Sequence, residues 1–233
     1  MSAIEIRKVG KSKAKVTKMG LGGAPLGDLF QILDEDQAQS VLQAAWDADI
    51  RYYDTAPFYG YGKSEHRVGH FLRQQPPEEY VLSTKVGRVL TAARDLEKFD
   101  GGFWAGGLPF ELRFDYSYDG IMRSYEDSLQ RLGLNSVDVL LIHDLDFWFH
   151  QKEAKVNAYL NELSTSGWRA IEELRSGGQI KGIGAGINEL GMIPRFLDMV
   201  DLDFFIVALP YTLLDQEVLN EEFPRCVEHG AGV

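Results

Sequence analysis

Asp54, Tyr59, Lys85 and His143 are the residues whose types and placement could carry a reaction. Each stands at or just beyond the end of a short apolar run. Arg51-Tyr52-Tyr53-Asp54 leads into Thr55-Ala56-Pro57-Phe58-Tyr59-Gly60, a second run ends Ser83-Thr84-Lys85, and a third ends Leu141-Ile142-His143. A tyrosine with a pKa near ~10 is a poor acid–base group at neutral pH. A nearby ammonium stabilises its phenolate and lowers that value. Lys85 would supply the ammonium, Asp54 would hold Lys85 charged and in place, and His143 would hydrogen-bond the reacting oxygen. The sum is a general acid–base tyrosine tuned toward working pH. Each residue taken alone has an ordinary explanation. Asp54 caps a turn, Lys85 is a solvated strand end, His143 is a satisfied structural histidine, and Tyr59 is a pocket aromatic. Their shared position at strand ends favours the chemical reading.

The elements that must hold these residues are legible as an alternation. Apolar runs predict strands over residues 18–22, 50–54, 80–85, 137–143, 180–184 and 204–209. Runs such as Val139-Leu140-Leu141-Ile142 are apolar throughout, as strands covered on both faces require. Helical periods lie between them. Ala38, Val41, Leu42, Ala45 and Trp46 share a face, as do Ile121, Met122, Tyr125, Leu129 and Leu132. Asp119 reads as the cap of the second helix and Gly133 as its stop. A further helix carries Trp168, Ile171 and Leu174, and Gly69 with Gln74-Gln75-Pro76-Pro77 reads as the close of an earlier one. The succession is α/β with a parallel sheet. In a parallel barrel the strand ends meet at one face, where the four polar residues would share a site.

Two long links leave C-terminal strand ends. Residues 87–118 hold Phe103, Trp104, Phe110, Phe114 and Tyr116, and residues 144–165 hold Phe147, Trp148, Phe149 and Tyr159. They are read as pocket walls, with Trp104 and Trp148 on the substrate side; packing within their own loops is the alternative. Ile4–Val9 and residues 15–17 form a hairpin about Gly10-Lys11-Ser12, a cover for the barrel floor.

Composition excludes several classes. The 233 residues carry 24 Lys and Arg against 35 Asp and Glu, a net charge of −11, which offers phosphate no attracting field and argues against nucleic acid as a partner. No apolar stretch is long enough to cross a membrane. Cys226 is the only cysteine, so no intrachain disulfide forms and a reducing, cytoplasmic setting is expected. Gly20-Leu21-Gly22-Gly23 fails the dinucleotide fingerprint because Pro25 stands where its third glycine belongs. His66 and His70 have metal-ligand spacing on a helix, but Glu65-His66-Arg67 reads as a solvated face, and no metal is expected.

Tyr53-Asp54-Thr55-Ala56-Pro57-Phe58-Tyr59-Gly60 with Ser64-Glu65, Ser83-Thr84-Lys85-Val86-Gly87 and Leu140-Leu141-Ile142-His143 together resemble the aldo-keto reductase family. The likeness extends over essentially the whole chain. The long loops and Gly-Ile-Gly-Ala-Gly-Ile-Asn at 182–188 look most like its bacterial aldose (fucose or galactose) dehydrogenase and pyridoxal dehydrogenase branch. The resemblance implies a (β/α)8 TIM barrel and a cofactor, NAD or NADP, lying across its C-terminal face. It implies hydride transfer between nicotinamide and a sugar hemiacetal or small aldehyde or alcohol. Asp54, Tyr59, Lys85 and His143 take the places of the family's catalytic tetrad, with Tyr59 and His143 at the substrate. On the cofactor side, the family's Ser-Asn pair is replaced by Gly186-Ile187-Asn188, making Asn188 the carboxamide partner, and the family's Gln on the next strand is Ala208. Tyr211 is placed at the nicotinamide, with structural packing as the alternative. Gly22 and Gly23 would let backbone approach the nicotinamide ribose, or simply form a tight turn. Asp54 belongs to the cofactor side as well.

Two rival functions differ in class. A Schiff-base lyase or aldolase would use Lys85 as nucleophile, and a binding protein would keep the barrel without turnover. A barrel of this type takes about 250 residues. Six large strands are counted here, and Gly230-Ala231-Gly232-Val233 reads as the approach to a seventh. The expectation is one barrel domain over residues 1–233 that lacks its C-terminal βα units.

Overall fold

A computed structural model describes residues 4–233. The chain opens with an antiparallel hairpin, β1 (Ile6–Lys8) and β2 (Lys15–Thr17), and then runs β3 (Gly20–Gly22), α1 (Glu35–Asp47), β4 (Tyr52–Asp54), α2 (Lys63–Leu72) and β5 (Val81–Val86). A second antiparallel hairpin follows, β6 (Arg88–Ala92) and β7 (Phe110–Phe114). The remainder is α3 (Tyr118–Leu132), β8 (Val139–His143), α4 (Phe147–His150), α5 (Glu153–Glu162), α6 (Trp168–Ser176), β9 (Gly182–Ile187), α7 (Met192–Met199), β10 (Phe204–Val207) and α8 (Glu222–Glu228).

Six strands form one sheet in the order β3-β4-β5-β8-β9-β10, every pairing parallel. This is the partial (β/α)8 barrel expected. Gly232 makes an isolated parallel bridge to Phe204 of β10. The edge strands β3 and β10 flank a cleft of about 450 Å³ whose wall includes Gly22, Asp54 and Phe205.

Side-chain alternation along the strands assigns the two faces. Leu82, Leu140, Ile142, Ile183, Ala185 and Phe205 point outward into the main core with Leu42, Phe71, Leu132, Ile171 and Phe196 of the helices. Val139 and Leu141 point inward, into a small cluster with Ala14 and Phe204. The same parity turns Tyr52, Asp54, Ser83, Lys85 and His143 inward. Each large aliphatic side chain in the outer layer contributes about 2 kcal/mol on burial, and that layer fixes the face on which the polar residues emerge.

The hairpin over the barrel floor forms as expected, tied down by Lys13 N–H donating to Lys181 O (2.9 Å). Other expectations need correction. β9 extends to Ile187, beyond the predicted 180–184, because Gly182, Gly184 and Gly186 hide the strand signal. They are inward-facing: a Cβ on Gly182 would lie 2.7 Å from Ser12 Cβ, so this glycine makes room for the hairpin, while a Cβ on Gly184 would lie 2.9 Å from Phe204 O. Ser117, not Asp119, caps α3, accepting from Gly120 N–H at 3.1 Å. Gly133 does end α3, in the left-handed conformation. Gly69 lies inside α2, where a Cβ would sit 2.1 Å from Leu132 O, so it serves helix packing rather than termination. The two long links are also more ordered than the sequence reading allowed: the first contains β6 and β7, the second α4 and α5.

Candidate active site

β4, β5 and β8 deliver their last inward side chains to one place. Lys85 Nζ donates to Asp54 Oδ2 at 2.6 Å and to Thr55 O at 3.0 Å. Ser83 Oγ donates to Asp54 Oδ1 at 2.6 Å, so both carboxylate oxygens are held. Burial works against the Lys85 ammonium, yet Asp54 and Tyr59 hold its pKa above the ordinary lysine value. Lys85 therefore remains a cation.

Tyr59 follows β4 on a short turn. Its ring centre lies 4.5 Å from Lys85 Nζ and 5.6 Å from the His143 ring, edge to face. Here the electrostatic expectation needs correction. Burial pushes the Tyr59 phenol above its ordinary value, with Lys85 opposing and Asp54 adding to the rise. Desolvation outweighs the single cation, because Asp54 already neutralises much of it, and the phenol stays protonated at neutral pH.

His143 is buried, and burial, with Arg88 and Lys85 nearby, holds its pKa well below the ordinary histidine value. The imidazole is neutral. Its Nδ1 is buried without a partner among the described residues, and an orphaned N–H is costlier than an orphaned lone pair. That places the proton on Nε2, the nitrogen 3.2 Å from Asp144 Oδ2.

Ser64 and Glu65, which follow the Asp-to-Tyr motif, bolt α2 to the strand ends. Ser64 Oγ donates to Gly23 O at 2.7 Å. Glu65 accepts from Thr84 Oγ1 at 2.7 Å and pairs with Arg131.

A cavity of about 260 Å³ opens among Tyr59, Lys85, Trp104, His143, Trp148 and Asn188. Tyr59, Lys85 and His143 thus share one cavity with both tryptophans, while Asp54 lines the cleft between β3 and β10 and joins them through Lys85. Trp104 is 4% exposed and stacks near Tyr59 at 5.7 Å, whereas Trp148 is 53% exposed at the rim. Glu189 accepts from the Phe147 and Trp148 N–H groups and so fixes the start of α4. The other loop aromatics divide. Phe149 lines the cavity, while Phe114, Tyr116 and Tyr159 pack with His150 behind it.

Asn188 reaches the cavity with Nδ2 donating to Asp146 Oδ2 at 3.0 Å. Its Oδ1 has no partner among the described residues. Tyr211 is not brought to this cavity; it is half exposed and packs on Phe223 at 5.4 Å. Gly22 faces the cleft between the sheet edges, and a Cβ there would meet nothing. Gly23 donates its N–H to Asp54 O at 2.7 Å, and a Cβ would collide with that oxygen, so its place is set by packing on β4.

Several residues at the site escaped the sequence reading. Asp146 caps α4 through Phe149 N–H (3.0 Å) while holding Asn188. Asp28, fully buried, accepts from Lys63 Nζ and Arg67 Nη1 at 2.6 Å each, and Lys63 Nζ also donates to Gly106 O at 2.8 Å. That network ties the link after β3 to the loop carrying Trp104. Arg88 and Asp144 form a buried pair beside His143, Arg88 Nη2 donating to Asp144 Oδ2 at 2.9 Å. The one signal was chemical: acidic residues directly after the β8 histidine, at 144 and 146.

Comparison with known sequences adds a family to this geometry. The profile of the Aldo/keto reductase family matches residues 18–233. The chain belongs to the aldo/keto reductase family. It is 43% identical to a pyridoxal 4-dehydrogenase of Microbacterium luteolum over 99% of this chain and 69% of that one. It is 39% identical to a D-threo-aldose 1-dehydrogenase of a Pseudomonas species over 94% of this chain and 64% of that one. An aldo-keto reductase from Bacillus halodurans in its holo form superposes with a TM-score of 0.73 at 25% identity, covering 98% of this chain and 64% of that one. The chain thus spans about two thirds of the length of these relatives. Aldo/keto reductases are NAD(P)-dependent oxidoreductases, and the branch expected from the sequence is the branch found. No helix among the described residues is long and apolar enough to cross a membrane.

Proposed function

We propose that this protein, as one barrel domain in a reducing cytoplasmic setting, transfers hydride between a nicotinamide cofactor and a sugar hemiacetal or small aldehyde or alcohol, with Tyr59 as general acid or base. The observation that carries the reading is the convergence of Lys85, Tyr59 and His143 on one cavity, with Asp54 paired to Lys85.

Asn188 fits the cofactor. Its amide plane is fixed by Asp146 and its Oδ1 is free at the cavity wall, an acceptor for a carboxamide N–H. A bound nicotinamide would accept hydride from the carbinol carbon in oxidation and return it in reduction. In oxidation Tyr59, as phenolate, takes the hydroxyl proton while the C–O double bond forms; in reduction the phenol gives that proton back. Lys85 stabilises the phenolate, and Asp54 keeps Lys85 in place. His143 Nε2–H is available to the reacting oxygen, and because the ring is neutral it donates without competing for the proton Tyr59 moves.

The Schiff-base alternative is disfavoured by the state of Lys85. A lysine nucleophile needs a neutral amine, and Asp54 holds this one as an ammonium ion. The test is a panel of NAD and NADP, oxidised and reduced, with aldoses and pyridoxal. Nicotinamide absorbance change with at least one pair is expected. No cofactor binding and no turnover with any pair would reject the function.

A further inference from the structure

We propose that Asp144 determines substrate specificity: its Oδ1 accepts a hydrogen bond from a hydroxyl on the carbon next to the reacting carbon, which selects α-hydroxy aldehydes and sugar hemiacetals. This rests on the function proposed above and narrows its substrate class.

Strand alternation would send the side chain after His143 outward, into the helix layer. Asp144 instead adopts a left-handed backbone, φ +44°, with its N–H donating to Gly186 O at 3.2 Å. That conformation is uncommon outside glycine, with Asp among the residues that tolerate it. It returns the carboxylate to the cavity, which Asp144 lines.

The two carboxylate oxygens then have different surroundings. Oδ2 receives Arg88 Nη2 at 2.9 Å and lies 3.2 Å from His143 Nε2. Oδ1 has no hydrogen-bond partner within 3.5 Å among the described residues, and the Asn188 amide beside the carboxylate favours its ionised form. Opposite it, Gly186 contributes no side chain, and a Cβ there would come within 3.7 Å of Oδ1. The glycine leaves room for a ligand group.

Arg88 makes this arrangement expensive and specific. Its guanidinium is fully buried, 3.9 Å from the Phe149 ring centre and 4.7 Å from that of Phe58. Nε and Nη1 have no partner among the described residues. A buried cation with two unsatisfied donors is tolerated only with a strong compensating contact, and its one ionic contact among the described residues is Asp144. The pair fixes an acceptor beside the nitrogen that meets the reacting oxygen. A substrate with oxygens on adjacent carbons satisfies both groups, whereas a deoxy analogue leaves Oδ1 desolvated and unpaired.

The experiment compares binding of L-fucose and 2-deoxy-L-fucose, read by quenching of tryptophan fluorescence, in wild type and Asp144→Asn. Asparagine keeps the size and the tolerance for positive φ. Wild type is expected to bind L-fucose about tenfold tighter than its deoxy analogue. Asp144→Asn is expected to shrink that ratio to about twofold or less, with affinity for the deoxy sugar nearly unchanged. Equal binding of both sugars by wild type, binding of neither, or equal weakening of both by the substitution would overturn the proposal. Hydride transfer is followed separately by nicotinamide absorbance. Sugar discrimination that Asp144→Asn removes, without turnover, would reject the function and leave only the hydroxyl contact of Asp144 standing.

Discussion

Lys85 Nζ sits 2.6 Å from Asp54 Oδ2 in a pocket that leaves the lysine 3% exposed. Around this ion pair the rest of the site is arranged. It keeps a cation 4.5 Å from the Tyr59 ring centre at any physiological pH, and it ties two neighbouring strands at the level where the chemistry is proposed.

Removing the anion tests that relationship. Asp54→Asn leaves a buried ammonium without its counter-charge, so Lys85 loses protons more readily and moves away from Tyr59. Turnover is expected to fall by about a hundredfold, with cofactor affinity changed much less. Steady-state kinetics beside fluorescence titration of the cofactor checks both parts.

The upward shift of Tyr59 sets the direction of pH dependence. Reduction needs the phenol, which is the form present at neutral pH, so its rate should be flat through neutrality and fall only in the alkaline range. Oxidation needs the phenolate and should rise with pH over the same interval. Profiles of kcat in the two directions would have opposite slopes; parallel profiles would count against Tyr59 as the proton carrier.

Arg88→Met tests the buried pair beside His143. The substitution fills the aromatic cage with an apolar side chain but strands Asp144. Breaking a buried ion pair from one side costs about 3 kcal/mol, and the charge left behind is close enough to the cavity to recover part of that from water. The paired variant Arg88→Met with Asp144→Asn is expected to regain most of the loss. Chemical denaturation of the three proteins makes the comparison.

Acid should weaken the fold through His150. Burial, with Lys155 and Arg88 nearby, pushes this imidazole down to about 4. The unfolded chain protonates the same residue near about pH 6.5, so it binds a proton that the folded chain refuses. Stability from this group is full above that value and falls as pH drops toward about 4; His143, also depressed, acts in the same sense. Melts at about pH 7 and about pH 5 should show a smaller decrease for His150→Gln than for wild type.

The legible part of this molecule was the part governed by period and position. Continuous apolar runs marked β8 and β10, and a polar residue at the end of each relevant run marked Asp54, Lys85 and His143. β9 was only partly visible, because its inward glycines give up β-propensity to admit the hairpin and leave space at the site. The electrostatics of Tyr59 could not be read in advance. A sequence names the charges, but the balance between desolvation and one partly neutralised cation depends on depth. Arg88, Asp144 and Asp28 were hidden for a related reason: their partners come from distant positions, and Asp144 breaks the alternation that would have predicted its direction. Tyr211, placed at the nicotinamide by likeness with packing as the alternative, packs on Phe223.

The central claim is that Tyr59 moves the proton while the rest of the site holds the reactants. Phenylalanine at this position keeps the ring against Trp104 and His143 and removes only the hydroxyl. Turnover by Tyr59→Phe, measured by nicotinamide absorbance in samples whose cofactor affinity is measured in parallel, tests it most directly. The account predicts a loss of at least about a hundredfold in kcat with cofactor affinity nearly unchanged; turnover close to wild type would contradict it.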